Sequence, residues 1–299
     1  MSMETVVYGD EKANRRKLII RLSIVYALLV GFAVFIIVPF YWMVLTALKT
    51  EVQVFMSPPI LWVNPLDWQF SNFALALDRA PFARFMGNTV LVSIISTIGT
   101  VITTIFASFA FSRLNFVGRD FLFMMLIATM MIPGEMFVIT NFLTVVRAGW
   151  IQNQTYMDAV LAMTLPFMTS IFYIFFLRQT FKQIPNELYY AAKVDGTKDF
   201  QYLWKVMVPI AIPTIITITI LNAMGTWNAY IWPRLIAQRE EFRLVSNGLR
   251  DAFADDMVGI IQYNEQMAAA LLVTLPLLIV FLLLKKYIMR GVSRSGIKG

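Results

Sequence analysis

With neither histidine nor cysteine, this 299-residue chain can do chemistry only with carboxylates, amides, hydroxyls, indoles and cations. The commonest general base, the thiolate nucleophile, the usual metal ligands and any disulfide are all ruled out. Among the remaining groups, Glu135 follows Pro133-Gly134 inside a long apolar run. An acidic side chain there either lines a polar pathway or sits at an interface. Asn222, Trp227, Asn228 and Tyr230 gather near the end of another apolar run. Such groups suit a sugar, whose CH faces stack on rings and whose hydroxyls bond to amides. The competing reading is an interfacial aromatic belt with helix–helix hydrogen bonds, and it applies to Trp232 too. The chain contains no G-x-x-x-x-G-K-[ST] phosphate loop.

One polar island interrupts the apolar sequence, from Phe181 to Pro209. Its pattern predicts two short helices. Asn186 is placed to cap the first, with Glu187 at the positive end of the helix dipole. Gly196 ends it, because glycine tolerates the left-handed conformation that closes a helix. Thr197 or Asp199 is placed to cap the second, and Pro209 opens the next apolar run. Leu188, Ala191 and Ala192 share one face; Phe200, Leu203, Trp204 and Met207 share another. Two small helices joined at a glycine form a knob, and the paired alanines let another surface come close.

Hydrophobic residues are 59% of the chain and charged residues 14%, where a soluble chain carries about a quarter charged. The expected fold is an all-α integral membrane protein with six spans, since each apolar run reaches the roughly 20 residues a bilayer requires. Uniformly apolar runs of this length do not suit barrel strands. Residues 1–21 are polar and basic, and 22–47 form a retained first span. Residues 48–85 are an outer segment, and 86–290 hold five more spans around the 181–209 loop. Residues 291–299 are a basic tail. Roughly two thirds of the Lys and Arg then fall on the side holding both termini and that loop, which makes this side cytoplasmic. The net charge of +7 thus reports topology rather than nucleic-acid binding.

Ala191, Ala192, Gly196, Val206, Val208 and Pro209 resemble the signature EAA-x3-G-x9-I-x-LP of binding-protein-dependent ABC importer permeases. In that family Asp195 suits the sugar-importer version, and the signature Glu falls at Tyr190. Phe109, Ala110, Phe111, Arg113, Leu114, Phe116 and Gly118 resemble the end of the family's second span. The run TWNAYIWP and the ending GIKG resemble the maltose-type, MalG-like carbohydrate branch. The resemblance implies the type I importer permease fold and no catalytic residue in this chain. It makes Glu187, Tyr190, Ala191, Ala192, Asp195, Gly196 and Phe200 an ATPase-coupling element. It also implies a second homologous permease, two ATPase subunits binding ATP and Mg, an extracytoplasmic solute-binding protein, and residence in a bacterial or archaeal inner or plasma membrane. The outer loop 234–266 should meet the binding protein. Alternatives from other classes are a permease for a non-sugar solute, a channel, and an integral membrane enzyme, which here would have only scattered carboxylates to work with.

Overall fold

The computed structural model describes residues 3–152, 154–254 and 262–293, with side chains given for 15–152, 154–253, 262–283 and 285. The GIKG ending and part of the outer loop lie outside the described residues. Within them all regular secondary structure is helical. In order the helices are α1 (Met3–Ala47), α2 (Glu51–Val54), α3 (Ser71–Asp78), α4 (Phe82–Arg113), α5 (Arg119–Thr129), α6 (Val138–Arg147), α7 (Tyr156–Thr164), α8 (Ile171–Lys182), α9 (Asn186–Val194), α10 (Asp199–Tyr202), α11 (Val208–Trp227), α12 (Ile231–Ile236), α13 (Val245–Ala254) and α14 (Tyr263–Ser293). Two compact units result, one being Met1–Ala76 with Ile261–Leu271, the other Leu77–Ile260 with Leu272–Gly299.

Four described helices are long and apolar enough to cross a membrane, and two bent helix pairs bring the number to as many as six, counting each pair as one span. The third span, α5 with α6, bends by 92° at Pro133-Gly134, as the Pro-Gly pair dictates. The fourth, α7 with α8, bends by 54° around Pro166. The polar N-terminal residues do not form a separate element. From Met3 they are helical and continuous with the first span.

In the first unit, α1 is apolar on every side from residue 22 onward and none of its most apolar window is buried, as suits a helix solvated by lipid or by another subunit. Its C-terminal carbonyls are not left open. Asn72 Nδ2 donates to the carbonyls of Ala47 and Lys49, both at 2.8 Å, and Asn264 Nδ2 donates to Asn72 Oδ1 at 3.0 Å. These bonds satisfy the helix end.

In the second unit, α4 is the axis against which α7, α8, α11 and α13 pack. Its contact face carries Ser93, Ser96, Thr97, Thr100, Thr104 and Ser108, all buried. Small residues at helical spacing let backbones approach closely in a membrane. They also repair the break in the fourth span. Thr100 and Thr103 donate to the carbonyls of Phe167 and Met168, and Ser108 to that of Ile174 at 2.9 Å. The Phe167 and Met168 carbonyls at the bend thus find donors without water, while Ser108 ties α4 to a carbonyl inside α8.

The fifth span departs from the sequence reading. The helix runs unbroken over Asp199–Trp227, passing through a π turn at Leu203–Met207. Pro209 has no N–H to return to the carbonyl of Lys205, and a wider turn accommodates that missing bond. The second short helix is therefore the first turns of the span, not a separate piece. The helix ends at Trp227, and α12 restarts at Ile231.

Candidate functional site

The polar island builds one exposed helix on a buried foundation. Phe181, Ile184, Tyr202, Leu203 and Met207 are buried in a cluster with Ile105, Phe109 and Leu177. On this base, α9 stands with its outer face uncovered. Tyr190 is 63% exposed and Val194 88%, while Glu187 and Ala191 are also exposed. The sequence expectation for the alanines divides here. Ala191 faces outward, but Ala192 packs against the chain's own cluster. Leu203 and Met207 are likewise buried, whereas Phe200 and Trp204 lie outside and gather around Phe106.

Gly196 terminates α9 as expected, with φ +74°. The Thr197 amide donates to Ala192 carbonyl at 2.8 Å and the Gly196 amide to Lys193 carbonyl at 3.0 Å. This pair of bonds is the Schellman closure, and it requires the left-handed residue. Asp195 is the exposed C-cap just before it.

Three capping expectations are corrected. Asn186 does not cap α9, because its Oδ1 is engaged by the guanidinium of Arg113. Neither Thr197 nor Asp199 caps α10. The N-cap is Lys198, whose amide donates to Gln201 Oε1. Asp199 is instead drawn back toward α9, accepting from Tyr189 Oη at 2.7 Å and pairing with Lys193 Nζ at 2.7 Å. That hydrogen bond to Asp199 raises the Lys193 pKa, and burial, followed by Asp199, raises that of the Tyr189 phenol.

Arg113, in the last turn of α4, holds the knob to the bundle. Besides Asn186, it donates to the carbonyls of Phe181, at 2.7 Å, and Ile184. It is only 7% exposed. The sequence marks it as a basic residue after a span, and its spacing gives no sign that the guanidinium turns inward. Arg178 does the same one turn away, donating to the Phe111 carbonyl at 3.0 Å and covering the Phe123 ring at 3.7 Å.

At the opposite end of this unit lies a cavity of about 260 Å³, lined by Ser96, Phe167, Tyr173, Asn222, Thr226 and Trp232, among others. Asn222 donates to Thr97 Oγ1 at 3.2 Å. Trp232 is buried and donates to the Ala162 carbonyl at 3.1 Å, so it is helix-to-helix packing and not an interfacial belt. Of the five residues expected along a pathway, only Asn222 lines this cavity. Trp227 has a buried Nε1 without a partner, and Asn228 bonds back to the Met224 carbonyl at 2.9 Å, closing the helix end. Tyr230 is held by Arg234 and lies beneath Arg250 at 5.1 Å. Glu135 is exposed in the turn that bends the third span.

The described part of the 234–266 loop is more ordered than its polarity suggests. Val245 and Asn247 of α13 are buried, and a side chain at Gly248 would meet the Phe85 ring at 2.4 Å. Asn88 of α4 donates to the carbonyls of Glu241 and Arg243 at 2.9 and 3.0 Å. Among the described residues no group of three or more acidic side chains could hold a metal ion.

Up to six apolar crossings, two of them bent, and one exposed helix on a buried base define a multi-span helical membrane protein. The chain belongs to the family of binding-protein-dependent transport system inner membrane components, which residues 99–294 match. Members are permease components of ABC transporters and are not themselves enzymes. A relative is the diacetylchitobiose uptake system permease protein NgcG of Streptomyces coelicolor, 26% identical over 274 residues, covering 91% of this chain and 88% of the relative. Another is the sn-glycerol-3-phosphate transport system permease protein UgpE of Yersinia pestis, 27% identical over 286 residues, covering 94% and 98%. In fold, the chain matches one from the crystal structure of a bacterial ABC transporter involved in the import of the acidic polysaccharide alginate. The TM-score is 0.73 at 24% identity, covering 96% and 98% of the two chains.

Proposed function

We propose that this chain is one of two membrane halves of an ATP-driven importer for a sugar or oligosaccharide, with α9 as the element that an ATPase subunit grips. The observation that carries this reading is α9 itself. It is exposed along Glu187, Tyr190, Ala191 and Asp195, closed at Gly196, and fixed to the bundle by Arg113. Phe200, exposed at the start of the long helix, extends the same contact. The second permease half is a homologue. Two ATPase subunits supply ATP and Mg binding, and a solute-binding protein delivers the solute from outside.

The basic segments around Arg113, Arg178 and Lys193 support a topology with the α9 side, both termini and the 291–299 tail in the cytoplasm of a bacterial or archaeal cell. The segment 48–85 is then extracytoplasmic, as are α12 and α13. Closure of the ATPase pair moves α9, and the buried base passes that motion to α4, α8 and α11. Coupling of this kind needs a shape-matched contact, not a catalytic group. Carbohydrate is the favoured solute class because of the uptake activity named for NgcG and the aromatic-amide lining of the Asn222 cavity. The remaining pathway residues, Glu135, Trp227, Asn228 and Tyr230, belong to this reading only as groups between the two halves. A second reading, a permease for a phosphorylated polyol, rests on the equally similar UgpE.

The test is affinity purification of the full chain from its own membranes, with co-purifying proteins identified by mass. ATP hydrolysis is then measured with the solute-binding protein loaded with sugars or with glycerol phosphate. Recovery of a homologous permease and an ATPase, with sugar-dependent stimulation, is expected. A chain that purifies without any ATPase would defeat the reading, and stimulation by glycerol phosphate alone would favour the second.

A further inference from the structure

Beside the α9 foot lies a notch of about 320 Å³, lined by Ser112, Arg113, Asn115, Arg119, Lys182, Asn186, Tyr189 and Tyr190. Three of these residues are cations. Arg119 is matched by a carboxylate, with two bonds to Asp120 at 3.1 and 3.3 Å. The other two are not. Every acceptor bonded to Arg113 is neutral, and its Nε is buried without a partner. Lys182 makes no ion pair among the described residues. Arg178 lies close behind, and its one carboxylate, the same Asp120, is 3.9 Å away. Three cations thus line a small concave space with Arg178 near them, and the one carboxylate in an ion pair with any of the four among the described residues is Asp120. Such a concentration of one sign draws an anion, and guanidinium groups with hydroxyl neighbours favour phosphate.

The position of the notch narrows the source. Arg113 and Lys182 occupy the last turns of two membrane-crossing helices, which sets the notch at headgroup depth. Phe116, Val117 and Phe121, all exposed and apolar, line an adjoining cleft that shares Asn115 and Arg119 with the notch. Val117 is 99% exposed at the tip of the turn that Gly118 makes with φ +81°. Apolar residues beside a basic cleft suit acyl chains next to a headgroup.

We propose that this notch is a phosphate-binding site, occupied by the headgroup phosphate of an anionic phospholipid and adjoining the α9 element. The proposal goes beyond the transport reading and does not depend on the solute carried. Phosphate at the notch neutralises Arg113 and Lys182 and braces the α4–α9 junction. Membrane composition is thereby linked to how firmly the knob is held.

The experiment is native mass spectrometry of the full chain released from detergent micelles doped with phosphatidylglycerol or phosphatidylcholine. Titration with inorganic phosphate forms the second arm. Phosphatidylglycerol should be retained over phosphatidylcholine. Lys182→Glu and Tyr190→Glu, each placing a carboxylate on the notch, should each weaken that retention by roughly tenfold. Lys182→Ala, on an exposed side chain without hydrogen bonds, serves as a milder control and should weaken it less. Displacement of the lipid by inorganic phosphate supports the shared phosphate chemistry. Phosphate binding that the Glu variants abolish, without any lipid preference, assigns the site to free phosphate. Retention of phosphatidylglycerol equal to that of phosphatidylcholine, without phosphate binding, would overturn the proposal, as would retention unchanged in both Glu variants. Loss of a co-purifying ATPase in Lys182→Glu without any lipid or phosphate effect would also overturn it, and would assign the notch to a protein carboxylate.

Discussion

The guanidinium of Arg113 donates to the carbonyl of Phe181 at 2.7 Å, fastening the end of the second span to the chain that leads into α9. The bond joins residues far apart in sequence across a buried contact. It makes the knob and the bundle one mechanical piece.

Arg113→Met should therefore loosen the knob. Three acceptors lose a charged donor, at a cost of about 2–4 kcal/mol if the carbonyls stay buried. The expected outcome is a lowered melting temperature in detergent and weaker capture of the ATPase. Arg113→Lys should recover only part of the loss, because an ammonium lacks the planar fork. Full stability of the Met variant would show that the guanidinium does not hold the knob.

Gly196→Val tests the closure of α9. A side chain there meets nothing within 4 Å, so the cost is conformational. It should amount to about 1–2 kcal/mol and re-aim α9. Gly196→Asn should be milder, since Asn tolerates the left-handed region. Solute uptake and ATPase capture are the readouts. Equal activity in both variants would mean that the Schellman closure is dispensable.

The two adjacent alanines should separate contact from core. Ala191→Trp, on the outside, should leave the melting temperature nearly unchanged and abolish ATPase capture. Ala192→Trp overfills the chain's own cluster and should lower stability by about 1–3 kcal/mol. If Ala191→Trp captured the ATPase normally, α9 would not be the gripped surface.

Sidedness can be read with single introduced thiols, because the chain has none of its own. A cysteine at Lys193 should resist an impermeant reagent applied from outside, and one at Glu240 should react. Reaction at 193 from outside would reverse the proposed orientation.

Much of the fold was legible in the sequence because lipid leaves few options. Long apolar runs must be helices, and Pro133-Gly134 had to break one of them. Gly196 announced its turn by type alone. The small-residue face of α4 was also visible in the sequence, at Ser93, Thr97, Thr100, Thr104 and Ser108, though only the bend at Pro166 shows that the Thr100 hydroxyl, with that of Thr103, serves the carbonyls there. Three features could not be read locally. A proline near a helix start looks the same whether the helix begins there or passes through a π turn, so Pro209 suggested a boundary that does not exist. Alanines carry no preference that distinguishes inside from outside, so 191 and 192 appeared equivalent. Arg113 looked like an ordinary flanking cation because its acceptors are backbone carbonyls contributed from a different helix.

The unbroken helix from Asp199 to Trp227 gives the chain a lever arm. At 1.5 Å per residue it is about 43 Å long, so a tilt of about 5° at the α9 end carries the far end through about 4 Å. The π turn at 203–207 also acts as a gear setting. It fixes the angular phase between the Phe200–Trp204 face near the knob and the Asn222 face beside the cavity. One residue more or less in that turn would rotate the second face by about 100° relative to the first. The stroke of the lever would survive such a change, but it would be delivered to a different side of the helix.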